Sequence, residues 1–258
     1  MKELNFVLTF DFDAESAEIR RNADKPVRST KGQYGPRKGL DRILNLLREE
    51  GVLATFFVPG WVADTYPSQV KAIFSEGHEV ASHGYLHENL NELKAEDEKV
   101  VLQRSMLSLQ RVVGRSPLGF RAPHWELSWN TLTILAELDY VYDSSLMNDD
   151  SPYTLKPSAG RRMIELPVDW LLDDWIYFET ERRSISDVFE VWSTELDSLL
   201  DEGGEYFLLT MHPQVMGRAS RVGMLRTMIR HARKSGRVRF VTASELCRLL
   251  GDALLYSP

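Results

Sequence analysis

The sequence predicts an α/β fold, a barrel of parallel strands each followed by a helix, and three observations carry that prediction. Short apolar runs alternate with segments of helical periodicity along all 258 residues, a pattern that means parallel strands joined by helical crossovers. About seven or eight such units occur, enough to close a barrel rather than leave an open sheet. No internal repeat, low-complexity tract or linker breaks the rhythm, which predicts one domain over residues 1–258.

Taken in order, Leu4 to Phe10 reads as a buried strand. Leu40, Ile43, Leu44 and Leu47 recur at helical spacing, with Gly51 as the stop. Val52 to Val58 is the second strand, Pro67 opens a helix that Gly77 closes, and Glu79 to Ser82 is the third strand. A long helix covers Lys94 to Val113, Leu118 to Phe120 is a strand, and Ser128 is placed to cap a helix bearing Leu132, Leu135 and Leu138. Tyr140 to Tyr142 and Ile164 to Val168 read as extended. Ser186 to Leu200 is helical, Tyr206 to Met211 a strand, Leu225 to Ala232 helical and Arg239 to Val241 a strand, before a terminal helix. Two connections are long, Ala14 to Gly39 and Asn148 to Met163, and loops of that length in a compact domain serve as lids or binding loops.

A hydrophobic content of 43% and a charged content of 27% are ordinary for a globular chain with a full core. The net charge of −7 argues against nucleic acid as a partner, since that binding neutralises phosphates with Lys and Arg. The one cysteine, Cys247, lies between Leu246 and Leu249 and reads as a small buried hydrophobe; without a second thiol no internal disulfide forms. No secretory pattern opens the chain, and no stretch approaches the roughly 18 apolar residues of a membrane span, so the expectation is a soluble cytoplasmic protein with no membrane partner. Eight Lys or Arg residues and no acid lie between Arg218 and Arg239, and the connection after Asp13 is also basic. A phosphate site is one reading; a solvated helix face or subunit contact answering the acidic remainder is the preferred one.

The polar residues that carry chemistry fall where strands end. Asp11 and Asp13 follow the first strand, His83 and His87 the third, and Arg121, Asp143 and His212 three later ones. In a parallel barrel those ends share one face, the face where active sites sit. Side chains alternate along a strand, so Asp11 and Asp13 point the same way, and two carboxylates that close call for a cation or a shared proton. A D-x-D pair is also common in turns and caps. His83 and His87, four apart around the flexible Gly84, can meet one ion, and with Asp13 they make a two-histidine, one-carboxylate set that leaves coordination positions open. Arg121 is suited to a bidentate grip on a carboxylate such as Asp11, while Trp125 offers an apolar wall. His124 lies within reach of a substrate without an assigned role. His212, backed by Pro213, suits a general acid, because imidazole titrates near neutrality. His78 and His231 read as structural. Asp174 and Trp175, after the extended segment ending at Val168, are candidates for the substrate wall, with Trp170 read as core.

The segments FDFDAE, SHGYLH, FRAPHW, YDSS and LTMHP, in this order and spanning residues 4–246, resemble the polysaccharide deacetylase (NodB-like) superfamily. The resemblance implies a distorted (β/α) barrel of about seven parallel strands with long active-site loops. It also implies a hydrolase of N-acetyl or related amide bonds that uses one divalent metal, zinc ahead of cobalt, nickel or iron. It makes Asp11 the catalytic base, Asp13, His83 and His87 the metal ligands, Arg121 the residue orienting the base, and His212 the general acid. The spaced FDFD is similar to the subgroup holding intracellular peptidoglycan deacetylases, cyclic imide hydrolases and metal-independent allantoinases, which implies a homo-oligomer, a tetramer among the options. Retention of both histidines favours its metal-dependent members. The substrate is then a small-molecule or saccharide amide, with ring-opening of a cyclic imide or ureide as the alternative. Tyr142-Asp143-Ser144-Ser145 stands where the family has an Asp-x-x-Asp-Trp motif, so support of His212 by Asp143 is not implied. A glycosidase would use paired carboxylates without needing the histidines, and a non-catalytic ligand-binding barrel would not need base, ligands and acid together.

Overall fold

The structure, a computed structural model, describes residues 3–21 and 25–255; residues 22–24, inside the first long connection, and both chain ends lie outside the described residues. Strand β1 (Leu4–Asp11) leads into helices α1 (Ser16–Arg20), α2 (Pro26–Tyr34) and α3 (Leu40–Glu50). Strand β2 (Thr55–Val58) is followed by α4 (Gly60–Thr65) and α5 (Pro67–Ser75), and β3 (Glu79–Ser82) by α6 (Ala95–Val113). Then come β4 (Gly119–Phe120), α7 (Thr131–Glu137), β5 (Tyr142–Asp143), β6 (Tyr153–Leu155), β7 (Met163–Glu165) and α8 (Ile185–Glu202). The order ends with β8 (Tyr206–Met211), α9 (Pro213–Met216), α10 (Ala219–Lys234), β9 (Val238–Val241) and α11 (Ala243–Leu255).

The strands form one curled sheet in the order β6-β7-β5-β4-β3-β2-β1-β8, with β9 also on β1. Strand β1 shares one edge between two partners, Leu4–Val7 with Val238–Val241 of β9 and Thr9–Asp11 with Thr55–Phe57 of β2. All the pairings are parallel except β6 with β7. Alternation along each strand divides the core. Phe6, Leu8, Phe10 and Phe12 of the first strand segment pack outward with the helices, while Val7 faces inward with Phe57, Ala81, Tyr142 and Leu208.

Two expectations change. The barrel is distorted and does not close: among the described residues β7 does not pair with β8, and the segment after β7 meets β8 through a single bridge, Asp173 to Thr210, and through side-chain hydrogen bonds such as Tyr206 Oη donating to Pro167 O at 2.8 Å. The reason is local. After β7 the chain stays on the β5 side, Leu166 and Val168 N–H donating to Asp143 O and Leu146 O at 2.9 Å each, and then enters the short turn Trp170–Leu172, so no strand fills the gap. The second long connection is also not a free loop, because Tyr153–Leu155 pairs antiparallel with β7. A smaller correction concerns Ser128, which precedes the N-cap of α7 instead of forming it. Asn130 occupies that position, and Ser128 Oγ accepts from its backbone N–H at 3.0 Å and donates to the buried Glu98 at 2.6 Å.

The Arg-rich stretch finds acidic partners, in line with the reading of a helix face answering the acidic remainder. Arg226, Arg230 and Arg233 of α10 converge on Glu50, and Arg237 and Arg239 pair with Asp201 and Glu245. No helix among the described residues is long and apolar enough to cross a membrane.

Candidate active site

The inward face of β1 continues past Val7 as Thr9 and Asp11, and Asp13 follows on the same side. Neighbouring strand ends carry His83, Arg121 and His212 to the same mouth, and all of these side chains are buried. Four of the five strand ends singled out by sequence therefore meet. Asp143 does not join them: it is buried within β5, where its carboxylate accepts from Ser145 Oγ at 2.9 Å and adjoins Glu165.

Arg121 organises one side. Its Nη1 donates to Asp11 Oδ1 at 2.8 Å and to Thr9 Oγ1 at 2.9 Å, while Nε and Nη2 donate to the carbonyl and hydroxyl of Ser144, each at 3.0 Å. The grip on Asp11 is thus single, not bidentate, because the rest of the guanidinium is spent on Ser144. The guanidinium also lies 4.1 Å from the centroid of the Phe57 ring. Burial opposes ionisation of Asp11, but the Arg121 guanidinium, with the charged His212 behind it, outweighs burial and holds the carboxyl below the usual range.

In the centre, His83 Nδ1 lies 2.8 Å from the carbonyl oxygen of Arg121. A carbonyl only accepts, so Nδ1 bears the proton and Nε2 carries a free lone pair. That lone pair is 3.5 Å from Asp13 Oδ1, and His87 Nε2 is 3.8 Å from the same oxygen. These contacts are not ion pairs. Burial pushes His83 down to about 4 and His87 well below its ordinary value, so both rings are neutral. Asp13 Oδ1 is buried without a hydrogen-bond partner, and burial, with the charge of Asp11 adding to it, raises the Asp13 carboxyl to about 8. An orphaned carboxylate oxygen facing the His83 lone pair and the neutral His87 ring, whose Nδ1 is also buried without a partner, is a donor set that fits a divalent cation.

The loop that presents the histidines is held firmly. Gly84 sits at φ 69° between them, and Glu88 accepts from the backbone N–H groups of Tyr85 and Leu86 at 2.9 and 2.8 Å. Ala14, His87, His124 and Trp125 all have φ between 49° and 59°, and all four line the cavity, which is where costly backbone conformations are retained.

On the far side, His212 Nδ1 is 2.7 Å from Asp174 Oδ1, and its backbone N–H donates to Asp174 Oδ2 at 3.0 Å. Its Nε2 points back to Asp13 Oδ2 at 3.7 Å. Burial alone would lower this imidazole, but Asp174, with Asp173 and Asp13 behind it, holds it up at about 10. Asp174 was expected on the substrate wall; it lies instead fully buried under His212, with both oxygens engaged. The sequence carried no unique signal for this role, since the Asp-Trp dipeptide occurs twice, at Asp169-Trp170 and at Asp174-Trp175. Gln214, whose side-chain amide donates to Asp13 Oδ2 at 3.4 Å, carried no signal either.

The cluster opens into a cavity of about 670 Å³. Trp125, Trp175, His124 and Trp170 line it, Trp170 being 60% exposed at the rim and not in the core.

Comparison with known proteins agrees with this geometry. The polysaccharide deacetylase family profile matches residues 22–142. A peptidoglycan deacetylase of Helicobacter pylori is 30% identical over 95% of both chains. A peptidoglycan deacetylase-like protein of Gibberella zeae is 27% identical over 96% of this chain and 86% of its own. Among solved structures, a putative polysaccharide deacetylase from Mycobacterium smegmatis superposes with a TM-score of 0.88 at 35% identity, covering 100% of this chain and 95% of that one. An allantoinase superposes at 0.89 with 22% identity over 98% and 91%, a likeness of fold.

Proposed function

The chain belongs to the polysaccharide deacetylase family, and from that premise we propose that it is a metal-dependent hydrolase of non-peptide C–N bonds, removing an acyl group from an amide nitrogen. The observation that carries the reading is the buried, unpartnered Asp13 Oδ1 facing the free nitrogens of His83 and His87 at the base of a cavity. A divalent ion held by these three residues supplies Lewis acidity toward the substrate carbonyl and toward water.

In this reading Asp11 is the base. Its Oδ1 is engaged by Arg121, which leaves Oδ2, 3.9 Å from His83 Nε2, to take the proton of the attacking water. Arg121 keeps that carboxylate charged and aimed. His212 is the acid: Asp174 fixes its tautomer and holds the ring protonated, so Nε2–H is ready for the leaving nitrogen, which without a proton would leave poorly. Trp125 and Trp175 bound the substrate and exclude water from the reacting atoms.

Zinc is the ion favoured by a two-histidine, one-carboxylate set, and the single cysteine supports a cytoplasmic location. The family resemblance supports a homo-oligomer. The test combines elemental analysis with Asp11→Asn. Purified protein is expected to hold a divalent ion and to release acetate from N-acetylated substrates. The variant is expected to keep its metal while kcat falls about a thousandfold. Turnover surviving in Asp11→Asn removes Asp11 as the base, and release confined to cyclic imides or ureides moves the reading to ring opening.

A further inference from the structure

The wall of the cavity nearest the acid carries a surplus of positive charge. Trp175 meets His212 with ring centroids 5.4 Å apart, and Lys31 Nζ lies 5.2 Å from the centroid of the Trp175 indole. Arg28 stands one helical turn before Lys31 on α2, and both line the cavity. Arg218 and Arg221 come up behind: burial first, and then the charges of Arg221, Arg218 and Arg28, lower the Lys31 ammonium.

The carboxylates on the same wall are committed elsewhere. Glu179 pairs with both Lys31 and Arg221, Glu18 lies 3.8 Å from Arg21, and Asp173 Oδ1 accepts the backbone N–H of Trp175 at 2.6 Å. Among the described residues no carboxylate pairs with Arg28. Arg28 is an exposed side chain on the cavity lining beside Lys31, without a carboxylate partner among the described residues, and such a guanidinium is free to engage an anion that arrives with the substrate.

We propose that the substrate carries a carboxylate on its amine fragment, and that Arg28, assisted by Lys31, selects for it. The side is set by the order of groups: scissile carbonyl over Asp13 and the histidines, leaving nitrogen at His212, then Trp175, Lys31 and Arg28. An N-acyl amino acid and an acylated amino sugar bearing an acidic substituent share this chemistry. A neutral glycan does not supply it. The inference rests on the deacetylase reading for its direction.

The experiment compares N-acetyl ω-amino acids of graded length with their methyl esters, and N-acetylmuramic acid with N-acetylglucosamine, in wild type, Arg28→Gln and Arg28→Glu. N-Alkyl succinamates, which carry the carboxylate on the acyl side, are the control for direction. The wild type is expected to favour the amine-side acid over its neutral match by about tenfold in kcat/KM, a value suited to one charge-assisted contact on an accessible side chain. Arg28→Gln brings the ratio to within about twofold of unity and Arg28→Glu inverts it. Whichever matched pair shows the effect identifies amino acid or sugar as the source. A wild-type ratio near one, a ratio unchanged in Arg28→Gln, or an equal preference for the acyl-side acid overturns the proposal. Calorimetric titration of the same acids separates this from the underlying reading. Arg28-dependent binding without turnover by metal-loaded protein sinks the hydrolase and keeps the carboxylate site. Turnover without Arg28-dependent discrimination does the reverse.

Discussion

The two ends of the barrel interior both bury carboxylates, and they treat them in opposite ways. At the floor, Glu79 accepts from Tyr142 Oη at 2.9 Å, from Thr55 Oγ1 at 2.9 Å and from the backbone N–H of Ser244 at 2.8 Å, in the first turn of α11. Thr55 Oγ1 in turn accepts from Ala243 N–H. Even the route to this network is built in: a Cβ on Gly119 would lie 1.8 Å from the Tyr142 ring, so only glycine lets that ring cross to Glu79. At the mouth, by contrast, Asp13 Oδ1 has no donor, although it is as inaccessible as Glu79. A buried carboxylate with all its donors is part of the fold's scaffold. One left short beside free imidazole nitrogens is held for a ligand.

That contrast breaks most directly at Asp13. Asp13→Ala is expected to lower bound metal to a small fraction of the wild-type content and activity to background, while the thermal midpoint of the metal-free protein changes little or rises; elemental analysis and calorimetry read the two arms. Metal retained in Asp13→Ala means the mouth is not the ion site. Asp174→Asn tests the acid side, with kcat expected to fall about a hundredfold at unchanged metal content, since the amide holds His212 without stabilising its charged form. A loss of metal in that variant would reassign Asp174 to the ion.

At the floor the signs reverse. Glu79→Gln turns one acceptor position into a donor against groups that themselves donate, and should cost about 2 kcal/mol of stability while kcat stays within about twofold. A drop in kcat as large as that of Asp174→Asn would erase the distinction between the two ends.

The smallest effect concerns Asp143 and Glu165, whose outer oxygens, Asp143 Oδ2 and Glu165 Oε2, are buried and without donors of their own. Burial raises Asp143 to about 6, and burial together with the Asp143 charge raises Glu165 well above its ordinary value. Raised folded values mean that the folded state holds protons the unfolded chain has lost. The stabilisation is therefore complete below the unfolded value near 4 and lost as pH rises through about 6. Denaturant titrations from pH 4 to pH 7 are expected to show this decline in wild type and a flatter profile in Glu165→Gln. Equal slopes would mean that the pair does not share its protons in this way.

Much of the mouth was legible in advance because its parts are local. Asp11 and Asp13 share a face through strand alternation, and the four-residue spacing of His83 and His87 around Gly84 lets both reach one point. The role of Asp174 was not legible, since its meaning depends on contact with His212, 38 residues away. Arg28 looked like one more charge in a basic loop until the folded chain showed which carboxylates its neighbours had taken. The helices α1 and α2 were missed because their sequences are short and polar, and β6 because three residues give no period to read.

By itself the sequence determined the alternation of strands and helices, the face on which the polar strand ends gather, and the set of groups offered there. Those properties follow from periodicities of two and 3.6 residues, which act over a few neighbours. The tertiary structure alone decided that the barrel stays open between β7 and β8, that Arg121 grips Asp11 through one nitrogen, that Asp174 lies beneath His212, and that Asp13 Oδ1 is left without a donor. Each of these depends on which distant segments reach the same few ångströms, because a hydrogen bond made by one partner is a hydrogen bond denied to another.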